Sequence, residues 1–246
     1  MYGSANIKFM DGRKMEETMR ATYLGGIITH NASRNMELNN RISIAFGACN
    51  KLKLFWRKTN CSIKWKLQIY NAIIVAQLTY GLCTLNLRLD AFQIRGLRYI
   101  LGIEHSFYSH VTNEEIYRKT NLALNKGQDL NISWEEFIRG KDYAEIKQIE
   151  KISDFVMRQQ NKLFGHIGRA ENLDLLKQPT IDRNFKQPHQ LVRRVGQPRM
   201  GWVKENCKYA LKVHDGIAFD DTSEDHTNRI KQLAENKILG TKVIPQ

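Results

Sequence analysis

The sequence predicts a mainly α-helical protein with a small N-terminal β-hairpin, arranged as a helical bundle followed by a second helical segment. Apolar residues recur every three or four positions through most of the chain, which is the period of helices with one buried face. Near the N-terminus they alternate with polar residues and are followed by glycine turn signals, which favours paired strands. With 246 residues, 42% of them hydrophobic, the chain can bury one or two cores.

Residues 1–33 are predicted to contain the hairpin. Ile7 and Phe9 alternate with polar neighbours, and Asp11-Gly12 follows as a turn signal, because glycine adopts the positive φ of tight turns. A second pair of glycines lies inside the strand pattern, where it marks a bulge or a close approach of the backbone. The residues of that second turn are Tyr23, Leu24, Gly25 and Gly26.

Residues 34–103 are predicted to form a bundle of three helices. The first covers 34–58, with an apolar line every three or four residues. Ser62 is a suitable N-cap for the second helix, which extends to about Leu78 and ends at Gly81. That helix is apolar on several faces and should lie at the centre of the bundle. The line of the first helix consists of Leu38, Ile42, Ala45, Cys49, Leu52 and Trp56.

The third helix of this bundle is predicted to begin with Asp90 as its cap and to end at Gly102. Arg95 and Arg98 lie three residues apart and should share its outward face. Residues 104–147 have no clean period and are predicted to be a connector with short helical turns. Within it, Ser133 followed by Glu136 matches a capping box.

Residues 148–214 are predicted to contain a long helix, beginning at about Ile146, and an arginine-rich loop. Pro179, Pro188 and Pro198 then break any helix. Residues 215–246 are acidic and polar, and are predicted to be a mobile tail with one helix from Asp225 to Lys237. The inner line of the long helix is predicted to be Ile149, Ile152, Val156, Leu163 and Ile167.

Positive charge is concentrated in two blocks of the chain. The formal net charge is +13; residues 34–102 carry 11 basic and 2 acidic side chains, and residues 158–214 carry 12 and 4. Such a balance favours a polyanionic partner. The alternative is a generally basic surface that only aids solubility.

The remaining composition predicts a protein without metal, cofactor or small-molecule substrate. The four cysteines form no Cys-x-x-Cys pair, so a reducing, intracellular compartment fits and a zinc knuckle does not. The seven histidines are scattered, and no glycine-rich phosphate loop occurs. No apolar run reaches the length of a membrane span, so we expect no membrane partner.

Five blocks of sequence together resemble the C-terminal part of non-LTR (LINE-type) retrotransposon reverse transcriptases. In order they are YLGG at 23–26, LQIYNAIIVAQLTYG at 67–81, LRYILGI at 97–103, LFGHIGR at 163–169 and RRVGQPRMGW at 193–202. The resemblance covers about residues 7–103 and 148–202. The last block departs from the family pattern at Gln197, and the segment between Gly81 and Leu97 is shorter than usual.

The resemblance implies a polymerase thumb without catalytic aspartates, which in the family lie just upstream of the first block. It implies that residues 23–26 correspond to the primer grip, although an ordinary hairpin turn is the alternative. Asp220-Asp221 follows the last block in an acidic segment without a strand pattern. A solvated loop is therefore the favoured interpretation of that pair, and we expect no catalytic residue.

The candidate nucleic-acid-binding residues are cations of the two basic blocks and two tryptophans. Trp65 stands between two lysines, and Trp202 follows three arginines on a stretch stiffened by Pro198. Guanidinium groups suit phosphate oxygens, and indole rings suit bases. The alternative for the arginine-rich loop is pairing with the acidic tail. The candidates are Lys51, Lys58, Lys64, Trp65, Lys66, Arg95, Arg98, Arg158, Lys162, Arg169, Arg193, Arg194, Arg199 and Trp202.

These observations predict a reverse-transcriptase-derived, non-catalytic protein that binds RNA or an RNA/DNA hybrid within a ribonucleoprotein, together with other proteins. Two alternatives remain open. The chain is the C-terminal part of an active RNA-directed DNA polymerase that works with a separate fingers and palm, or it is a structural subunit without nucleic-acid contact.

Overall fold

The computed structural model of the protein describes residues 10–13, 18–29, 34–80, 87–126, 132–139, 141, 146–171, 174, 177, 180–181, 185, 201–220 and 222–241. In this part of the chain the fold is mainly helical with an antiparallel two-stranded hairpin near the N-terminus, which confirms the predicted class. The predicted strand around Ile7 and Phe9 and the helix end at Gly81 lie outside the described residues. No described helix is long and apolar enough to cross a membrane.

The hairpin joins strands β1 (Arg20–Tyr23) and β2 (Gly26–Thr29), with Tyr23 paired to Gly26. Its two turn residues, Leu24 and Gly25, have φ values of 47° and 76°. Two consecutive positive φ angles define a type I′ turn, whose twist matches that of the paired strands. The second turn residue is glycine because that conformation carries no Cβ penalty there.

One acidic side chain fastens the hairpin to the first helix, α1 (Arg34–Lys51). Glu37 accepts a hydrogen bond from the amide of Ile27 at 2.6 Å and pairs with Arg41 Nε at 2.6 Å. Arg41 in turn donates from Nη2 to the carbonyl of Gly25 at 2.5 Å. Both partners of this ion pair are largely buried, so the hairpin has a fixed position on the bundle.

The predicted first helix is interrupted at Leu52, where φ is −90° and ψ is 7°, and continues as α2 (Lys53–Lys58). The second begins at Ser62, whose hydroxyl accepts from the amide of Trp65 at 3.3 Å, which confirms the predicted cap. It consists of α3 (Ile63–Ile69), a π-helical segment (Tyr70–Val75) and α4 (Ala76–Thr79).

Helix α5 (Leu87–Leu101) crosses the π-helical segment at a glycine. A Cβ placed on Gly96 would lie 2.5 Å from atoms of the Tyr70 ring. Tyr70 is fully buried, its hydroxyl has no partner among the described residues, and burial raises its pKa. The absence of a side chain at Gly96 therefore leaves room for the Tyr70 ring against α5.

The C-terminal end of α5 agrees with the prediction, but its N-terminal end does not. Gly102 has φ +69°, and the amide of Ile103 bonds the carbonyl of Arg98 at 2.9 Å, closing a Schellman-type C-terminus. Asp90 lies inside the helix, so the prediction that it caps α5 is wrong. Its carboxylate instead accepts from the amide and hydroxyl of Ser153 at 3.0 and 2.7 Å, and thereby caps a different helix.

The described residues of the predicted connector form three helices, α6 (Ser106–Ser109), α7 (Asn113–Lys126) and α8 (Trp134–Ile138). Ser133 caps α8 by accepting from the amide of Glu136 at 3.1 Å, as the capping box predicts. The prediction of short helical turns is wrong for α7, which has 14 residues and buries Ile116 in the N-terminal core.

Two hydrophobic cores share one helix, α9 (Ile152–Arg169). Its first half completes the N-terminal core and its second half belongs to the C-terminal core. The N-terminal core includes Leu38, Trp56, Tyr70, Ile74, Leu97, Ile116, Ile152 and Val156. The C-terminal core includes Phe164, Ile167, Val203, Cys207, Leu211, Ile230 and Leu233.

Two details of α9 differ from the prediction. It begins at Ile152 rather than at about Ile146. Leu163 is 51% exposed, whereas its neighbour Phe164 is fully buried. The inward line therefore passes through Phe164 instead of Leu163 and continues at Ile167, which is buried as predicted.

Helices α10 (Trp202–His214) and α11 (Glu224–Glu235) pack on α9. The helix predicted from Asp225 to Lys237 is confirmed as α11. Ile230, Leu233 and Leu239 are buried against α9, so the prediction that this helix belongs to a mobile tail is wrong. Although this segment is acidic overall, its apolar residues recur at helical spacing, and one apolar helix face is enough to bury the segment.

Candidate nucleic-acid interface

A pocket of about 710 Å³ lies where the C-terminal end of α5 meets α2, α3 and α6. We call it the basic pocket, because four Lys or Arg side chains line it. Its lining residues are Trp56, Arg57, Lys66, Arg95, Arg98, Tyr99, Ile100, Leu101, Gly102, Ile103, Glu104, His105 and Tyr108.

Arg98 forms part of the floor of the basic pocket and is only 6% exposed. Its guanidinium donates to the carbonyl of Glu104 at 2.9 Å, to Ser109 Oγ at 3.2 Å and to the carbonyl of Val111 at 2.5 Å. The prediction that Arg98 faces outward is therefore wrong. The chain reverses at Gly102, and the following residues fold back over this side chain.

Lys66 is the second buried cation of the basic pocket, with 8% exposure. Its Nζ donates to the carbonyl of Trp56 at 2.9 Å. That carbonyl belongs to the last turn of α2, where the helix dipole favours a positive charge. Lys66 is buried because the short α2 brings its C-terminal end against α3, and its predicted contact with nucleic acid stays a prediction.

Neither buried cation has a carboxylate partner among the described residues. Their acceptors are carbonyl and hydroxyl oxygens, which satisfy hydrogen bonds but carry no net charge. Glu104 supplies the one carboxylate of the lining, and it forms no ion pair in the described part of the chain. A buried charge without a counter-ion is costly, so the pocket favours an anion.

Two exposed arginines complete the lining. Arg95 stacks over the Phe46 ring, with 4.7 Å between Cζ and the ring centroid. Arg57 lies in α2 and is exposed. No carboxylate lies within ion-pair distance of either one in the part of the chain that the structure describes. Both guanidinium groups are thus available to an anion that enters from solvent.

Four other candidates are exposed but do not line the basic pocket. Lys51, Lys58 and Lys64 are exposed, and Trp65 is 53% exposed. The structure keeps them on the surface of the same bundle, and their contact with nucleic acid stays a prediction.

Two of the three described candidate cations in the second basic block bond to other parts of the protein. Arg158 forms a two-pronged ion pair with Glu150 at 2.8 and 2.9 Å, and hydrogen bonding to that carboxylate raises the pKa of Arg158. Arg169 Nη1 donates to the carbonyl of Ala234 at 2.7 Å. Lys162 is exposed on α9, and its contact with nucleic acid stays a prediction.

Trp202 packs edge-on against Phe164, with 5.7 Å between ring centroids, and is part of the surroundings of the C-terminal core. Trp202 is therefore only partly exposed, and its contact with a base stays a prediction. Arg193, Arg194 and Arg199, which precede it in the sequence, lie outside the described residues.

The turn at residues 23–26, the primer-grip-like segment, has exposed side chains, whereas its backbone carbonyls accept hydrogen bonds from the helical bundle. Tyr23 and Leu24 are 65% and 73% exposed. The carbonyl of Leu24 accepts from Tyr80 Oη at 3.1 Å, and that of Gly25 accepts from Arg41. The turn is thus held against the bundle, as a hairpin with a structural role requires, and a role toward a primer strand stays a prediction.

Asp220 has a local structural role. Its Oδ1 accepts from the amide and hydroxyl of Thr222 at 2.9 and 2.8 Å, and these bonds lower the pKa of its carboxyl group. Asp221 lies outside the described residues. No group of three His, Cys, Asp or Glu side chains is placed to hold a metal ion among the residues that were described.

Sequence reasoning missed the aromatic side of the basic pocket. Tyr108 lines the pocket at 71% exposure, and Phe107 beside it is 76% exposed. Both lie in α6, within the segment interpreted as a connector. The signal was two adjacent aromatic residues flanked by His105 and His110, close after a basic helix, but it has no helical period.

Three comparisons with known proteins found no matching protein family, curated protein or solved structure.

Proposed function

We propose that this protein binds RNA through the basic pocket without catalysing a reaction on it, as part of a ribonucleoprotein. The observation that carries the proposal is the pair of buried cations, Lys66 and Arg98, that share one pocket and lack a carboxylate partner among the described residues. The resemblance to reverse-transcriptase thumbs supports the same class of ligand.

Phosphate is the anion that fits these groups best. Guanidinium forks bind phosphate oxygens with two parallel hydrogen bonds, and a buried ammonium adds a point charge. With Arg57 and Arg95 beside the opening, the pocket offers four cations along one surface. A chain of phosphates would neutralise more of them than a single small anion.

Contacts of this kind fix the position of a nucleic acid but do not read its sequence. We therefore expect affinity to depend strongly on salt and weakly on base composition. The proposal assigns no catalytic residue. The carboxylate of Asp220 accepts hydrogen bonds from Thr222 and has a structural role in a local turn.

The decisive experiment compares two double variants with the same loss of charge. Arg57→Ala with Arg95→Ala removes the exposed cations of the pocket. Lys212→Ala with Lys231→Ala removes two from α10 and α11, which do not line it. We expect the arginine pair to weaken RNA binding on the order of tenfold to 100-fold, and the lysine pair to have a small effect.

Salt titration sharpens this test. If four phosphates are contacted, the slope of log affinity against log salt should be about −3, and the arginine variant should flatten it by about 1.4. Equal effects of the two double variants would show that only general charge matters, and would contradict the assignment of the pocket.

A structural subunit without nucleic-acid contact is the second candidate. It is favoured by the internal use of several predicted cations, since Lys66, Arg98 and Arg158 all bond to protein oxygens. A flat salt response and co-purification with protein but no RNA would support this candidate.

A further inference from the structure

We propose that the RNA taken by the basic pocket is single-stranded, with an unpaired base stacked on Tyr108. This inference rests on the proposed function and names the form of the ligand. It follows from two exposed aromatic rings at a cationic pocket, which a ligand recognised through phosphates alone would not need.

The aromatic pair is exposed and orderly. Phe107 and Tyr108 are 76% and 71% exposed. Their ring centroids lie 5.2 Å apart with an interplanar angle of 89°. In this edge-to-face arrangement the edge of one ring covers one face of the other, and the remaining ring faces are not covered within the pair. Exposed neighbouring aromatic rings beside cations are the usual surface on which single-stranded nucleic acids stack.

The short helix that carries these rings is braced from both ends. His105 Nδ1 accepts from the amide of Phe107 at 3.3 Å, and His110 closes the helix in the left-handed conformation at φ 53°. Ser109 Oγ donates to the carbonyl of Glu104 at 3.1 Å. Phe107 and Tyr108 form an aromatic platform that is already positioned before a ligand binds, and this lowers the entropic cost of binding.

The same contacts tie the platform to the cationic floor. Arg98 bonds both Ser109 Oγ and the carbonyl of Glu104, so the buried charge and the aromatic pair belong to one hydrogen-bonded unit. A phosphate near the floor and a base on Tyr108 would then be held at a fixed separation, as in one nucleotide of a strand.

A duplex does not match this arrangement. Bases inside an A-form helix are stacked on both faces, and the protein reaches mainly phosphates and 2′-hydroxyls. Stacking on Tyr108 requires a base that has left such a stack. A volume of about 710 Å³ is in the range of pockets that hold small organic ligands, and hence of a nucleotide.

The test measures binding of a fluorescein-labelled 12-nucleotide oligouridine and of a 12-base-pair RNA duplex by fluorescence anisotropy. We expect the single strand to bind more tightly. Tyr108→Leu should weaken single-strand binding by about 5-fold to 150-fold and leave duplex binding unchanged. Tyr108→Phe keeps the ring and should keep the affinity.

A second readout reports stacking directly. A strand with one 2-aminopurine should lose fluorescence on binding to the wild type and to Tyr108→Phe, and should lose less on binding to Tyr108→Leu. Circular dichroism melting of each variant checks the fold, which an exposed ring should hardly affect.

The outcomes separate this inference from the proposed function. Equal binding of both RNAs, with no effect of Tyr108→Leu but weakening by Arg57→Ala with Arg95→Ala, overturns the single-strand inference and leaves RNA binding standing. No effect of the arginine pair on either RNA overturns both.

Discussion

The two hydrophobic cores share α9 but use their arginines in different ways. Beside the N-terminal core, Arg57 and Arg95 have no carboxylate partner among the described residues, and Arg98 is buried against neutral oxygens. Beside the C-terminal core, Arg229 pairs with Asp215 at 2.7 Å and Arg169 bonds a carbonyl. Among the described residues, these arginines therefore differ in whether a carboxylate neutralises them.

The difference shows why a basic composition locates a binding surface poorly. Arginine serves helix packing as well as phosphate binding, and both uses look alike in one sequence. What distinguishes them is the partner. Arg229 meets the carboxylate of Asp215 at the end of α10, whereas Arg98 meets two carbonyls and the Ser109 hydroxyl in the segment that follows its own helix.

Truncation in either core should have the largest effect on stability. Ile74→Ala and Leu211→Ala each remove a fully buried side chain, so each should cost about 2–5 kcal/mol of unfolding free energy. Because α9 belongs to both cores, we expect each variant to unfold in one transition on urea denaturation followed by circular dichroism. Two separate transitions would show that the cores are independent.

A glycine pair tests how tightly the N-terminal core is packed. Gly96→Ala should cost about 1–3 kcal/mol, because its Cβ would meet the Tyr70 ring at 2.5 Å. Gly47→Ala is the matched control, since nothing lies within 4 Å of its Cβ in α1, and it should stabilise by up to about 1 kcal/mol. Thermal melting that ranks the two variants the other way would contradict the close packing at Gly96.

The cap on α9 tests the junction between the cores. Asp90→Ala removes the acceptor of the Ser153 amide and hydroxyl, so it should cost about 0.5–2 kcal/mol. Asp90→Asn retains an acceptor and should lose less. Chemical denaturation measures both; an equal loss would show that charge matters here rather than the hydrogen bond.

The smallest effect on stability is expected from the ion pair between Asp215 and Arg229, which lies beside the C-terminal core. Hydrogen bonding to Arg229 holds the pKa of Asp215 below its ordinary value of 3.8. A lowered pKa in the folded state means that this stabilisation is present above pH of about 4 and is lost as pH falls through the folded-state value. Carboxyl-carbon NMR should show the pKa of Asp215 rising in Arg229→Gln; no change would rule out the pair in solution.

Local signals in the sequence predicted much of the fold. Ser62, Gly102 and Ser133 mark helix ends correctly, because capping depends on residues within one turn. The role of Asp90 was missed because its partner, Ser153, is 63 residues away. An isolated sequence carries no signal for such a pairing.

The sequence predicted the region of the candidate site but not the surroundings of each of its side chains. The charge of the first block indicated the bundle that holds the basic pocket, and Arg95 was correctly placed on its surface. The burial of Lys66 and Arg98 depends on where neighbouring segments turn back. Phe107 and Tyr108 were overlooked because the four-residue α6 is too short to show a hydrophobic period.

The shared helix also decides where the chain tolerates being cut. Ile152 and Val156 seal the N-terminal core, while Phe164 seals the other, twelve residues after Ile152. A protease nick between Val156 and Phe164 would leave each core with its own apolar residues on its own fragment. Each fragment would then hold only a short piece of α9, and so short a helix is marginal in water by itself. Both fragments should therefore be less stable than the same segments in the intact chain.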